Sequence, residues 1–408
     1  MRSITGTQLK AQGDKFWNMR LVFSEAGTFG TKEEDLAAWD MYPGSHDVRI
    51  AVLDTGVFCN TPCFYYEDKG TLKGNLDHSA SKCFLTKYYA PDFGEDVSEK
   101  TRVNIFDPLC DVVGHGTFSA GIIGAKYIPG PKDGSTGINE YVTMTSYKVL
   151  DDRNIVDCSA VLAALNDIQE RSKSEQDIHV VNMSFTIGRP SIHDSESVYG
   201  KILELIKKRD DIVFVISAGN AEDDLDGDNG SILADVYEYD NVLVVGMVKY
   251  TPKDPGGTLT AKGAFGKKRV HLLAPAEVCA PSHVAMGRAV PKAEGTSIAA
   301  PHVAGAAALV KSVHKRWAAE KIVAALKGNG NRCYESTTNG LVEYDKDLKE
   351  KSMHGILNLS FLTEAAVQTK REVSVRSTID FPMRLDSPEG QKRQGIMKRD
   401  DSLPGEKE

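Results

Sequence analysis

Three side chains that together can break an acyl bond stand far apart in this chain: Asp54 in IAVLDTGV, His115 in DVVGHGTFSAGIIG and Ser297 in EGTSIAAPHVAGAAAL. A serine hydroxyl is a poor nucleophile at neutral pH. An imidazole can take its proton, and a carboxylate can hold that imidazole in one tautomer and stabilise its cation. Ser297 precedes a run of alanines and glycines that fits only a closely packed, buried helix. Where the chain turns into that helix, the serine's own N–H belongs to the unpaired first turn, at the positive end of the helix dipole, and can bind an oxyanion. Pro301 is tolerated there if it falls in about the first turn. Taken singly, each residue has a plainer reading. Thr296 and Ser297 would cap a helix, Asp54 would shape a turn, and a histidine between glycines would be structural. The order Asp, His, Ser supplies a carboxylate, a base and a nucleophile.

Positioning such groups calls for a frame. Apolar runs with strand character alternate with helical ones: strands over 47–54, 143–150, 179–185, 212–218, 242–247 and 270–274, helices over 158–172, 195–209, 297–317 and 318–326. That alternation predicts an α/β fold: a doubly wound, mainly parallel sheet with helices on both faces. In such sheets ligands collect beyond the carboxyl ends of the strands, where Asp54 falls.

With these residues in view, the chain resembles the subtilisin-like serine proteases, the subtilases, from about Trp17 to about Ala366. The resemblance rests on the three segments quoted and on FVISAGN, which puts Asn220 where the family has its oxyanion-hole asparagine. It implies a serine endopeptidase with Asp54, His115 and Ser297 as catalytic residues, acting through an acyl-enzyme. Asn220 and the Ser297 N–H would bind the oxyanion. It also implies an extended peptide lying between the segment with Asn154, Ile155 and Val156 and the segment with Ser184, Phe185 and Thr186. Ser217, Ala218 and Gly219 would form a wall of the primary specificity pocket. Phe185 and Thr186 replace the leucine and glycine common there, so a narrower pocket is expected. The acidic run after Asn220, with Glu222, Asp223, Asp224, Asp226 and Asp228, admits three readings: a pocket acid that selects lysine or arginine, a calcium loop, or a solvated turn.

The domain plan is an N-terminal segment 1–16, a catalytic domain 17–366 with a long insertion at 58–108, and a charged, disordered tail 367–408 carrying three basic pairs. The insertion and its flank hold four of seven cysteines, Cys59, Cys63, Cys83 and Cys110. Such clustering suggests one or two stapling disulfides, with four free thiols as the alternative. No cofactor is required by the chemistry. The resemblance allows structural calcium, with ligands unknown: Cys63 stands near where a ligand aspartate is expected, and the 125–137 loop lacks an obvious ligand asparagine.

The implied partners are polypeptide substrates and a propeptide or protein inhibitor acting in trans, with the chain itself a monomer. A net charge of −8 over 408 residues argues against nucleic acid, and no apolar run reaches the length of a membrane span. The resemblance implies secretion or a vacuolar route, although no apolar signal region follows Met1, and the sequons at Asn229 and Asn358 matter only on that route. An α/β-hydrolase esterase is excluded by the order of the residues and by Ala299 where a glycine would follow the serine. A peptide-binding pseudoprotease of the same fold is the remaining alternative.

Overall fold

A computed structural model describes residues 7–8, 16–24, 36–68, 71–86, 107–127, 136–171, 177–190, 195–227, 229–252, 257–281, 289–330, 342–344 and 348–363. The charged tail and most of segment 1–16 lie outside the described residues.

Nine strands form one sheet: β1 (Arg49–Asp54), β2 (Lys82–Cys83), β3 (Thr143–Lys148), β4 (Val180–Met183), β5 (Val213–Ser217), β6 (Val242–Pro252), β7 (Gly257–Lys262), β8 (Leu272–Pro275) and β9 (Val342–Tyr344). Their spatial order is β9-β7-β6-β5-β4-β1-β3-β2, with β8 also paired to β6. All pairs are parallel except β6 with β7. Strands buried on both faces read as near-continuous apolar runs, as in β1, β5 and β6, whereas β3 buries Thr145, Ser146 and Lys148 among its apolar residues. The alternation of side chains still sorts them. Ile50, Val52, Val213 and Val215 enter one core cluster, and Ala51, Leu53, Phe214 and Ile216 enter the other.

Helices cover both faces. Helix α1 (Trp17–Phe23) is followed in the chain by α2 (His115–Gly124), α3 (Cys158–Glu170), α4 (Val198–Lys208), α5 (Thr296–Val313) and α6 (Ala319–Gly328). The four expected helices appear, with ends shifted by a few residues. Residues of α5 and α6 pack into the first cluster, those of α3 and α4 into the second. The N-caps are readable for two of them: Asp157 accepts from the Ser159 and Ala160 N–H groups, and Ser197 from Gly200.

From β1 the chain moves to β3 on one side and then to β4 on the other, so the end of β1 is a topological switch point. Asp54 is the last residue of β1 and Asn220 follows β5. Helix α5 lies buried against this sheet through Ala299, Ala300, Val303, Ala304, Ala307 and Leu309. Its small side chains let the backbone approach the sheet closely. Helix α1, not expected from sequence, fastens α5 from behind. His302 Nδ1 faces the Ile298 carbonyl at 2.9 Å and its Nε2 faces Asn18 Nδ2 at 3.0 Å. Full burial lowers the pKa of this imidazole to about 4, so it serves there as a neutral structural group. No helix among the described residues is long and apolar enough to cross a membrane.

Candidate active site

The carboxylate end of the site is a closed hydrogen-bond network. Asp54 is fully buried, and its Oδ1 lies 2.7 Å from His115 Nδ1 and accepts the Thr55 N–H at 2.7 Å. Its Oδ2 accepts from Ser119 Oγ at 3.1 Å. With a carboxylate on one side, Nδ1 carries the proton, and Nε2 remains available on the other. His115 is the first residue of α2 and its two glycines have separate duties. Gly114 holds φ at 92°, and a Cβ on Gly116 would lie 2.0 Å from the Gly56 carbonyl oxygen. Burial alone would depress the imidazole's pKa. The charge and hydrogen bond of Asp54, with the charge of Asp111 behind it, outweigh that and raise it above the usual histidine value.

Asp111 was not singled out in the sequence, and it organises this end. It is 1% exposed. Its Oδ1 accepts from Gly114 N at 2.7 Å, Val113 N at 3.2 Å and Thr55 Oγ1 at 2.8 Å. Its Oδ2 accepts from Thr117 N at 2.8 Å and Thr117 Oγ1 at 2.6 Å. One carboxylate thus ties the turn after Asp54 to the first turn of the histidine helix. Thr55 closes the loop by accepting from Gly116 N at 2.9 Å. The signal was present: an aspartate just before a helix start is a capping residue.

The serine end is built differently. Neither Thr296 nor Ser297 caps α5; the N-cap is Gly295, with φ at 152° and no side-chain cap bond. The Thr296 hydroxyl instead accepts from Gly219 N at 3.0 Å and donates to Asn220 Oδ1 at 3.0 Å, while Thr296 N–H donates to the same oxygen at 2.8 Å. With Oδ1 held this way, Asn220 Nδ2 is the end left to donate elsewhere. No described group accepts the Ser297 N–H. Pro301 is the sixth residue of α5, inside the helix and past its first turn, so it removes the N–H that would otherwise reach the Ser297 carbonyl.

His115, Ser297 and Asn220 face one groove of about 230 Å³, which Asn154, Val156, Ser184, Phe185, Thr186, Ser217 and Gly219 also line. Two expected groove residues are elsewhere. Ile155 is 52% exposed and turned to solvent, because the 151–155 turn is closed by Asp151 N–H to the Ile155 carbonyl. Ala218 borders a second cavity, of about 340 Å³, which adjoins the groove at Thr186, Gly219 and Asn220. Phe185 is only 7% exposed and packs in a core cluster, and Thr186 borders that cavity.

The stapling disulfides are not present: Cys59, Cys63, Cys83 and Cys110 are free thiols, as is Cys158. Each is held in a different setting. Cys63 packs in the core, Cys83 ends an edge strand, Cys110 offers its carbonyl to buried Lys148, and the Cys59 carbonyl accepts from Tyr65. Burial pushes the Cys63 thiol far up in pKa, so it stays neutral, and a neutral thiol does not suit a hard cation. The residue at the expected calcium aspartate therefore does not fit that ion.

The protein-family model described as the Subtilase family, Peptidase S8, matches residues 45–351. Subtilisin-like protease 1 of Plasmodium falciparum (isolate 3D7) is 25% identical over 295 residues, covering 68% of this chain and 39% of that protein. The chain therefore spans well under half the length of that relative. The Major intracellular serine protease of Bacillus subtilis (strain 168) is 28% identical over 267 residues, 65% of this chain and 69% of that one. Among solved structures, a cold adapted subtilisin-like serine proteinase superposes with a TM-score of 0.55 at 19% identity, over 83% of this chain and 98% of that one. At that identity the likeness concerns the fold, which agrees with the parallel sheet described above.

Proposed function

The chain belongs to the subtilase family, and from that premise we propose that it is a serine endopeptidase working through Asp54, His115 and Ser297. The observation that carries this reading is the 2.7 Å contact of His115 Nδ1 with buried Asp54, made by an imidazole that shares one groove with Ser297 and Asn220. In the proposed reaction, Ser297 Oγ attacks the carbonyl carbon of the scissile bond and its proton passes to His115 Nε2. Asp54 stabilises the imidazolium that forms. The oxyanion takes hydrogen bonds from Asn220 Nδ2 and the Ser297 N–H, donors held ready before the reaction begins. Collapse breaks the C–N bond, the amine leaves with the proton from His115, and an acyl-enzyme on Ser297 remains. Water then attacks that ester with His115 as base, releasing the acid and restoring the serine.

The substrate reads as an extended polypeptide, held by backbone hydrogen bonds along the segments at Asn154–Val156 and Ser184–Thr186. No step calls for a cofactor. A propeptide or inhibitor acting in trans would occupy the same groove as substrate. Secretion or a vacuolar route belongs to this proposal as well. Recovery of the protein from the medium or vacuolar fraction of its source tests it, and recovery with cytosolic proteins alone would overturn it.

Hydrolysis of an unfolded protein substrate tests the activity. Turnover should fall by about a millionfold in Ser297→Ala, the scale measured for the nucleophile of subtilisin, a member of this family. Near-normal turnover in a folded Ser297→Ala variant would remove the assignment.

A further inference from the structure

Beside the catalytic groove the 340 Å³ cavity opens at Asn220, and one wall of it carries a carboxylate with no partner among the described residues. The cavity is bounded by Thr186, Gly188, Ala218, Gly219, Asp223 and Ser231, among others, and among the described residues no cationic side chain lines it. Its described carboxylate neighbours in the acidic run are engaged. Glu222 pairs with Lys262 at 3.6 Å, Asp224 Oδ1 accepts from Asp226 N at 3.0 Å, and Asp226 Oδ1 accepts from Lys268 N at 3.1 Å and Arg269 N at 3.0 Å. Asp228 lies outside the described residues. The Asp223 carboxylate makes no hydrogen bond or ion pair with any described group, although the residue is half-buried.

The backbone that carries it is fixed. The Asp223 carbonyl accepts from Phe265 N at 2.9 Å, and Leu225 N donates to the Phe265 carbonyl at 2.8 Å. A carboxylate held on a pinned segment, without a described counter-ion, is placed to pair with a cation that enters the cavity. The geometry points to Asp223 as a specificity-determining residue that selects a lysine or arginine side chain at the position before the scissile bond. This inference rests on the proposed catalytic reading in one respect. The cavity meets the groove at Asn220, the oxyanion donor, so the side chain entering it belongs to the residue whose carbonyl is attacked. A guanidinium or ammonium there gains a charge-assisted hydrogen bond, whereas a large apolar side chain would bury the carboxylate unpaired.

The test uses two peptides identical except for arginine or leucine before the cut. We expect kcat/KM to favour arginine, and the arginine-to-leucine ratio to fall by at least about tenfold in Asp223→Asn, the scale of one hydrogen bond to a charged group. Asp223→Glu should retain the basic preference. A native preference for leucine, or the same ratio in native protein and Asp223→Asn, would overturn the inference while leaving the protease reading intact. Should neither peptide be cut, the catalytic reading fails, and binding to Ser297→Ala of labelled peptides ending in arginine or leucine decides this one. Tighter binding of the arginine peptide, lost in Ser297→Ala/Asp223→Asn, supports it. Equal binding of the two overturns it.

Discussion

The two ends of the site are held together by opposite means. At the Asp54–His115 end, a buried carboxylate that is not itself in contact with the imidazole, Asp111, collects five donors and binds a strand-end turn to a helix start. At the Ser297–Asn220 end, the neutral hydroxyl and N–H of one residue, Thr296, join the serine helix to the 219–220 turn, and the groups left over face the groove. The difference follows from what each end must do. In the proposed reaction the imidazole changes charge and needs a rigid anionic setting. The proposed oxyanion donors must stay unpaired until substrate arrives, so their support can use only the far side of Asn220 and the residue beside Ser297.

The sharpest break would come at Asp54. Asp54→Asn should lower kcat by about ten-thousandfold, as expected when the imidazole is left in the wrong tautomer. It should also move the pH profile. Catalysis needs the neutral imidazole, so activity rises with pH through an inflection that, in the native protein, stands above the usual histidine value because the charge and hydrogen bond of Asp54 outweigh burial. Removing that charge leaves burial in command, and the inflection of the residual activity should shift to lower pH. An inflection that stays in place would break the electrostatic half of the comparison.

A smaller pair of effects sharpens the contrast. Asp111→Asn offers an amide nitrogen where a carboxylate oxygen took backbone N–H groups, and should cost about 1–3 kcal/mol of stability by denaturant unfolding. Its effect on turnover should be the lesser one. Thr296→Val removes one hydroxyl, leaving Gly219 N–H unpaired and Asn220 more weakly held. It should lower kcat by about tenfold with little change in KM, consistent with a donor that acts in the transition state. The comparison fails if the two variants exchange these signatures.

The residues that the structure brings together at this site were legible where the signal is local. Asp54, His115 and Ser297 each sit in a short segment whose glycines and apolar run dictate the turn around them, and strands such as β1, β5 and β6 announce themselves by runs of apolar residues. What was missed depends on contacts between distant segments. Thr296 beside the serine looks like a cap until Asn220, 76 residues away in sequence, is seen to take its hydroxyl. Helix α1 is buried because of what it packs against, and β7 buries only Gly257 and Leu259 of its six residues. Cysteine spacing likewise gave no distances, and the expected bonds in the insertion gave way to thiols in separate settings. The bulk of Phe185 was read correctly, but its direction, into the core, was not available from its identity.

The central claim is that Ser297 is a nucleophile made reactive by His115. Treating the folded protein with a fluorophosphonate and locating the adduct by peptide mass spectrometry tests it directly. The account predicts one adduct, on Ser297, formed rapidly in the native protein and lost in a folded His115→Ala variant. An unlabelled native sample, or labelling that survives the loss of His115, would contradict it.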